Sequence, residues 1–124
     1  MDRILVVDDE PDLVKTYERL LQHKGYRVVS AGSCRDGLVV VEREPLALVL
    51  TDIRLPDGDG LDIVRAARRT TPSPTPTLVI TGFASEAGRA AALAAGASGY
   101  LAKPFGAAGL LSLVQLTLSG RSSL

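Results

Sequence analysis

Leu46-Ala47-Leu48-Val49-Leu50-Thr51-Asp52 climbs through apolar residues to a carboxylate, then breaks into the polar loop Arg54-Leu55-Pro56-Asp57-Gly58-Asp59-Gly60. A run this short, nearly continuous in Leu and Val, reads as a strand covered on both faces. Asp52 then stands at the strand's carboxyl end. A second run, Ile4-Leu5-Val6-Val7, ends in Asp8-Asp9, and a third, Gly99-Tyr100-Leu101-Ala102, ends in Lys103 before Pro104. If the three are neighbouring parallel strands, three acids and one lysine meet at one edge of one sheet. Such an edge suits a divalent cation and a phosphoryl group.

The remaining sequence supplies the sheet. Strand-like runs at 4–7, 27–30, 46–51, 77–81 and 99–102 alternate with helix-like stretches at 11–24, 33–44, 61–69, 86–95 and 107–118. The first helix carries Leu13, Tyr17, Leu20 and Leu21 at helical spacing and stops at Gly25; the fourth closes at Gly96. Strict alternation predicts an α/β domain with a doubly wound parallel sheet and right-handed crossovers. Ligands bind at the carboxyl ends of such strands, where Asp8, Asp9, Asp52, Thr81 and Lys103 all fall. Thr71-Pro72-Ser73-Pro74-Thr75-Pro76 has a linker's composition, but it is short and central, so it reads as a surface crossover loop.

Bulk properties narrow the function. A chain of 124 residues is one domain, and fourteen acids balanced by fourteen bases give no global field that would favour nucleic acid. One cysteine, Cys34, fits a reducing compartment, and no stretch has signal-peptide or membrane-spanning character. The expectation is a soluble cytoplasmic domain that binds neither membrane nor nucleic acid directly. Charge is unevenly spread: from Thr70 onward only Glu86, Arg89, Lys103 and Arg121 are charged. Part of that apolar half should lie on the surface, and such patches often mark interaction sites.

The predicted edge has a definite chemistry. A carboxylate pair with a third acid suits Mg²⁺, a hard cation that takes oxygen ligands. The metal relieves the mutual repulsion of the acids, so Asp52 can stay ionised and attack phosphorus to give an acyl phosphate. Lys103 can pair with one phosphoryl oxygen, the Thr81 hydroxyl can bond another, and backbone N–H groups near Arg54 and Gly82 can fill the remaining places.

Val6-Val7-Asp8-Asp9-Glu10, Thr51-Asp52-Ile53-Arg54-Leu55-Pro56, Asp59-Gly60, Thr81 and Gly99-Tyr100-Leu101-Ala102-Lys103-Pro104-Phe105 together resemble the receiver domain of two-component response regulators. The resemblance covers nearly the whole chain. It implies a flavodoxin-like, three-layer fold with a five-stranded sheet of order 2-1-3-4-5. It also implies phosphorylation of Asp52 by a histidine kinase or phosphotransfer protein, with no enzymatic turnover beyond the domain's own phosphorylation and dephosphorylation. Mg²⁺ would be bound directly by Asp9 and the Arg54 carbonyl, and by Asp8 through a water. Thr81 and Tyr100 would be a switch pair, Lys103 the phosphate contact, and the peptide before Pro104 cis. Residues 1–120 would be the receiver and 121–124 a tail or truncated linker; the start at Met1 favours an N-terminal or stand-alone receiver.

Other readings compete at single positions. Asp-Asp-Glu after a strand is also a helix-start pattern. Asp57 and Asp59 read as turn acids, His23 as an exposed helix-end residue, Cys34 as an inert small one. An aspartyl phosphatase or phosphotransferase of similar topology would want a second acid two positions after the nucleophile, where Arg54 stands. A receiver-like module that is never phosphorylated would not need the whole site.

Two departures from the family pattern stand out. Arg54 and Phe83, two residues beyond Asp52 and Thr81, would shield an acyl phosphate from water. The last helix, from Pro104 to Gly120, carries no charge, with Leu110, Leu111, Leu113, Val114, Leu116 and Leu118 around most of it. A helix apolar nearly all round wants burial on more than one side. The face made by the fourth helix, last strand and last helix is therefore expected to dock a second copy or an effector.

Overall fold

Runs of Leu, Ile, Val and Thr too short for a helix form the centre of the molecule, and a computed structural model describes residues 2–122. β1 (Arg3–Val7), β2 (Arg27–Ala31), β3 (Leu48–Asp52), β4 (Thr77–Thr81) and β5 (Gly99–Ala102) pair in parallel in the order β2-β1-β3-β4-β5. This is the expected sheet. Four helices cross between them, α1 (Pro11–His23), α2 (Cys34–Arg43), α3 (Gly60–Arg68) and α4 (Glu86–Ala95), and α5 (Ala107–Ser122) follows β5. After β3 a two-residue antiparallel ribbon pairs Arg54–Leu55 with Gly58–Asp59, an element the sequence reading did not resolve.

Side chains alternate across the strands, so each strand feeds two cores. Ile4, Val6, Leu48, Leu50, Leu78 and Ile80 pack under α1 and α5 against Tyr17, Leu21, Leu110 and Val114. On the other face Leu5, Val7 and Val49 meet Val41, Ile63 and Ala67 of α2 and α3. Val79 completes that layer with Val64 of α3 and Ala92 and Ala95 of α4.

Element ends follow local chemistry. Ser33, Asp59 and Ser85 cap α2, α3 and α4 through their side-chain oxygens. Asp57, read as a turn acid, does more: its carboxylate accepts the N–H groups of Cys34 (2.8 Å) and Arg35 (3.0 Å) at the start of α2. Those bonds hold the Asp57 carboxyl below its ordinary range. The proline-rich crossover is a surface loop as expected, tied back by Thr75 N–H donating to the Ala67 carbonyl (2.9 Å). α5 runs four residues beyond the expected end at 118; Ser123 and Leu124, within the segment expected as a tail, lie outside the described residues. Leu110 and Val114 are buried, whereas Leu116 is 70% exposed, so this apolar helix buries only one face within the domain.

Gly60 shows why the loop after β3 needs glycine. Its N–H donates to the Ile53 carbonyl (2.7 Å), and a Cβ there would run into the Asp52 carbonyl oxygen. Gly60→Ala is expected to destabilise the fold by about 1–3 kcal/mol, as overpacking against a fixed backbone does. Gly32→Ala, where a Cβ meets nothing within 4 Å, should stay within about 0.5 kcal/mol of wild type in the same urea titration.

Candidate functional site

Sheet order determines which side chains meet. β1 and β3 are neighbours, so Asp8, immediately after β1, and Asp52, the last residue of β3, face each other at the carboxyl edge. Asp8 is fixed there by its N–H donating to the Ala31 carbonyl (3.1 Å). Lys103 follows β5, two strands away, and its N–H donates to the Thr81 carbonyl (2.8 Å). The peptide bond between Lys103 and Pro104 is cis. From that anchor the ammonium reaches across the edge to Asp52 Oδ2 (2.9 Å) and Asp8 Oδ2 (3.1 Å), with Glu10 Oε1 at 3.6 Å.

The electrostatics are those of charges withdrawn from water. Asp8 is 2% exposed, and burial pushes its carboxyl up; the Glu10 N–H (2.9 Å) and the Lys103 ammonium only partly reverse this. Burial alone would lower the Lys103 ammonium, but its hydrogen bonds to Asp52 and Asp8 outweigh that and hold it above the ordinary lysine value. Asp52 Oδ1 accepts the Arg54 N–H at 3.3 Å.

Asp8, Asp9 and Asp52 each offer a carboxylate oxygen, all within 4.8 Å of one another. A donor set made wholly of oxygens, with Asp9 open to solvent, fits a hard divalent cation. The rest of the rim comes from the loops after β3 and β4. Thr81 is buried, its Oγ1 accepting the Phe83 N–H (3.0 Å), and Gly82 beside it is exposed. The Arg54 guanidinium sits 4.0 Å above the centre of the Phe83 ring, and that ring is 66% exposed. This pair is a cation–π contact across the two loops.

Not every candidate joins the cluster. Tyr100 lies on β5 beside Val79 of β4, half-buried, with its hydroxyl accepting the Ser85 N–H (3.3 Å) at the start of α4. Thr81 and Tyr100 thus hold different partners. His23 is exposed at the far end of α1, and a thirteen-residue helix carries it roughly 20 Å from the edge. Cys34 is buried, and burial, then Asp57, pushes its thiol up, in keeping with an inert residue. Two contacts escaped the sequence reading: Glu10 beside Lys103, and the core ring of Tyr17 stacked on Phe105 two residues after that lysine. For Glu10 the signal was present, in the Asp-Asp-Glu triplet itself.

Comparison with known proteins gives a consistent picture. The family model for the response regulator receiver domain matches residues 4–115. The KDP operon transcriptional regulatory protein KdpE of Escherichia coli is 33% identical over 99% of this chain and 54% of its own, so the chain spans about half that relative's length. The structure of a CheY-like response regulator receiver domain protein from Methanospirillum hungatei superposes with a TM-score of 0.93 at 32% identity, covering 98% of this chain and 97% of that one. A response regulator from Burkholderia pseudomallei, solved with a phosphorylated aspartic acid, calcium ion and citrate, superposes with a TM-score of 0.86 at 29% identity. That match covers 99% of this chain and 72% of the other. Among the described residues, no helix is long and apolar enough to cross a membrane.

Removing the Lys103 ammonium would leave the buried Asp8 carboxylate beside Asp52 with nothing between them, raising the Asp8 carboxyl further. A carboxylate raised in the folded state contributes stability at low pH and loses it as pH climbs through that raised value. Lys103 stays charged until far above neutrality and holds the Asp8 carboxyl lower than it would otherwise lie, so wild type loses less than the variant over the same range. The stability deficit of Lys103→Ala relative to wild type should therefore widen from about pH 5 to about pH 8 in denaturant titrations. A deficit that stays constant or shrinks would contradict the cluster's geometry.

Proposed function

Because this chain belongs to the response regulator receiver domain family, we propose that it takes a phosphoryl group on Asp52 and uses it to switch a partner-binding surface. Receiver domains are signalling domains, and turnover here is confined to the domain's own phosphorylation and dephosphorylation. The single observation behind this reading is the Lys103 ammonium, held 2.9 Å from Asp52 at an edge that also gathers Asp8 and Asp9. The donor is a histidine kinase or phosphotransfer protein. Residues 1–120 form the receiver, and the tail or truncated linker expected at 121–124 starts within α5, which runs to Ser122.

In the transfer a carboxylate oxygen of Asp52 bonds to phosphorus as the bond from phosphorus to the donor's imidazole nitrogen breaks. The imidazole leaves with the electron pair and takes up a proton. Asp8, Asp9, Asp52 and the Arg54 carbonyl would hold Mg²⁺, which when bound supplies positive charge against the transferring oxygens. Lys103 exchanges its Asp52 contact for a phosphoryl oxygen. Thr81 releases the Phe83 N–H and donates its hydroxyl to a second oxygen, while the backbone N–H groups of Arg54 and Gly82 line the rest. Tyr100 then moves toward the space Thr81 leaves. Phosphorylation need only favour one of two pre-existing states. The phosphorylated aspartic acid and calcium ion of the Burkholderia pseudomallei protein lend support from the same fold.

The surface that changes is the face of α4, β5 and α5, where Leu93 (46% exposed), Ala102 and Leu116 lie open. A second copy or an effector is its partner. Arg54 and Phe83 close over the phosphoryl group and slow its hydrolysis.

Intact mass after incubation with acetyl phosphate and Mg²⁺ should rise by about 80 Da in wild type and not in Asp52→Asn. No gain with any donor would leave a constitutive interaction module. Arg54→Asn and Phe83→Glu should each shorten the acyl-phosphate lifetime severalfold, the weight of an exposed cation–π pair of about 0.5–1 kcal/mol. Unchanged lifetimes in both would remove the shielding role.

A further inference from the structure

Tyr17 is 1% exposed in the core beneath α1, a position an aliphatic residue would fill with no polar atom to bury. Its hydroxyl has no hydrogen-bond partner there, which is a cost the fold bears without local return. The ring itself is well used: it stacks on Phe105 with centroids 5.6 Å apart and planes 13° from parallel. Phe105 lies in the short connection from β5 to α5, two residues after Lys103. The upstream end of that connection is pinned by the Lys103 N–H on the Thr81 carbonyl (2.8 Å). Its downstream side leans on α1 through the aromatic stack.

That support matters because Lys103 works at a distance. Its ammonium crosses two strand positions to Asp52 (2.9 Å) and three to Asp8 (3.1 Å), and hydrogen bonds weaken steeply once the donor drifts. α1 begins three residues after Asp8, so the stack references the lysine's segment to the helix that follows one of its own acceptors. The Tyr17 ring packs in the core layer of Val6 and Leu50, which stand two residues before Asp8 and Asp52 on their strands. We propose that Tyr17 is a positioning residue: its ring, stacked on Phe105, holds the β5–α5 connection so that Lys103 bridges Asp52 and Asp8. For its effect on phosphoryl transfer this rests on the function proposed above; for the placement of Lys103 it does not.

The chain has three lysines, Lys15, Lys24 and Lys103, so a ¹⁵N-edited spectrum of the ammonium groups is simple to assign, with Lys103→Ala identifying its signal. Proton exchange of the Lys103 ammonium should be slow in wild type and in Tyr17→Phe, which keeps the ring. In Tyr17→Leu it should quicken roughly two- to tenfold, the weight of one aromatic pair. Unchanged exchange in folded Tyr17→Leu, or equal quickening in Tyr17→Phe, overturns the proposal. If Tyr17→Leu fails to fold, Phe105→Leu removes the stack from its half-buried side and the same reading applies. Phosphorylation by acetyl phosphate should slow by the same factor in Tyr17→Leu, and that factor should vanish in a Lys103→Ala background. An equal loss in both backgrounds would mean that Tyr17 does not act through Lys103. A wild type with slow Lys103 exchange and no phosphorylation would sink the proposed function and leave the positioning role standing.

Discussion

Two carboxylates withdrawn from water side by side repel one another and lose hydration. The Lys103 ammonium, 2.9 Å from Asp52 and 3.1 Å from Asp8, is what allows Asp8 to be 2% exposed at that spot. Much of the architecture serves this contact. β1 and β3 must be adjacent for the acids to meet, and β4 must lie between β3 and β5 so that Thr81 can anchor the lysine's backbone. Gly60 lets α3 begin against the Asp52 carbonyl, and Asp57 ties the same loop to α2. A one-residue slip in any of these would turn an acid into the core or out to solvent.

The cluster is also incompletely satisfied. Burial pushes the Asp8 carboxyl up despite its hydrogen bonds, so the resting state holds more negative charge than it solvates well. A cation or a rearranged lysine improves that balance without any large displacement of the sheet. The groups free to respond are on loops: Arg54, Gly82 and Phe83 are exposed, whereas β3 and β4 are buried along their whole length. Buried strands set the distances, and the exposed rim carries the groups that solvent reaches.

Most of the fold was legible because the signals were local. Apolar runs of strand length and the stop glycines Gly25 and Gly96, both at positive φ in the structure, fix element after element from a few neighbouring residues. The gathering of Asp8, Asp9, Asp52 and Lys103 was legible too, since strand ends in a parallel sheet share one edge. What the sequence hid was contact across long separations. Asp57 caps a helix that starts 23 residues earlier, and nothing in Pro56-Asp57-Gly58 distinguishes that from a turn acid. Tyr17 fits the apolar face of α1 by spacing alone, so its partner Phe105 could not be read from periodicity. The extent of α5 was underread because Ser119, Gly120 and Arg121 look like an ending.

The partition of charge along the chain divides how its two sides respond to their surroundings. The carboxyl edge is built from ionisable groups, so pH and added salt act on it. The α4–β5–α5 side offers mainly alanine, leucine and serine, with Glu86 and Arg89 its charged residues among α4, β5 and α5 as far as Ser119. Contacts made there draw on apolar hydration, which ionic strength hardly touches. Their thermodynamic mark is a negative change in heat capacity and a dependence on temperature. One small domain thus joins an edge tuned by ions to a face tuned by warmth.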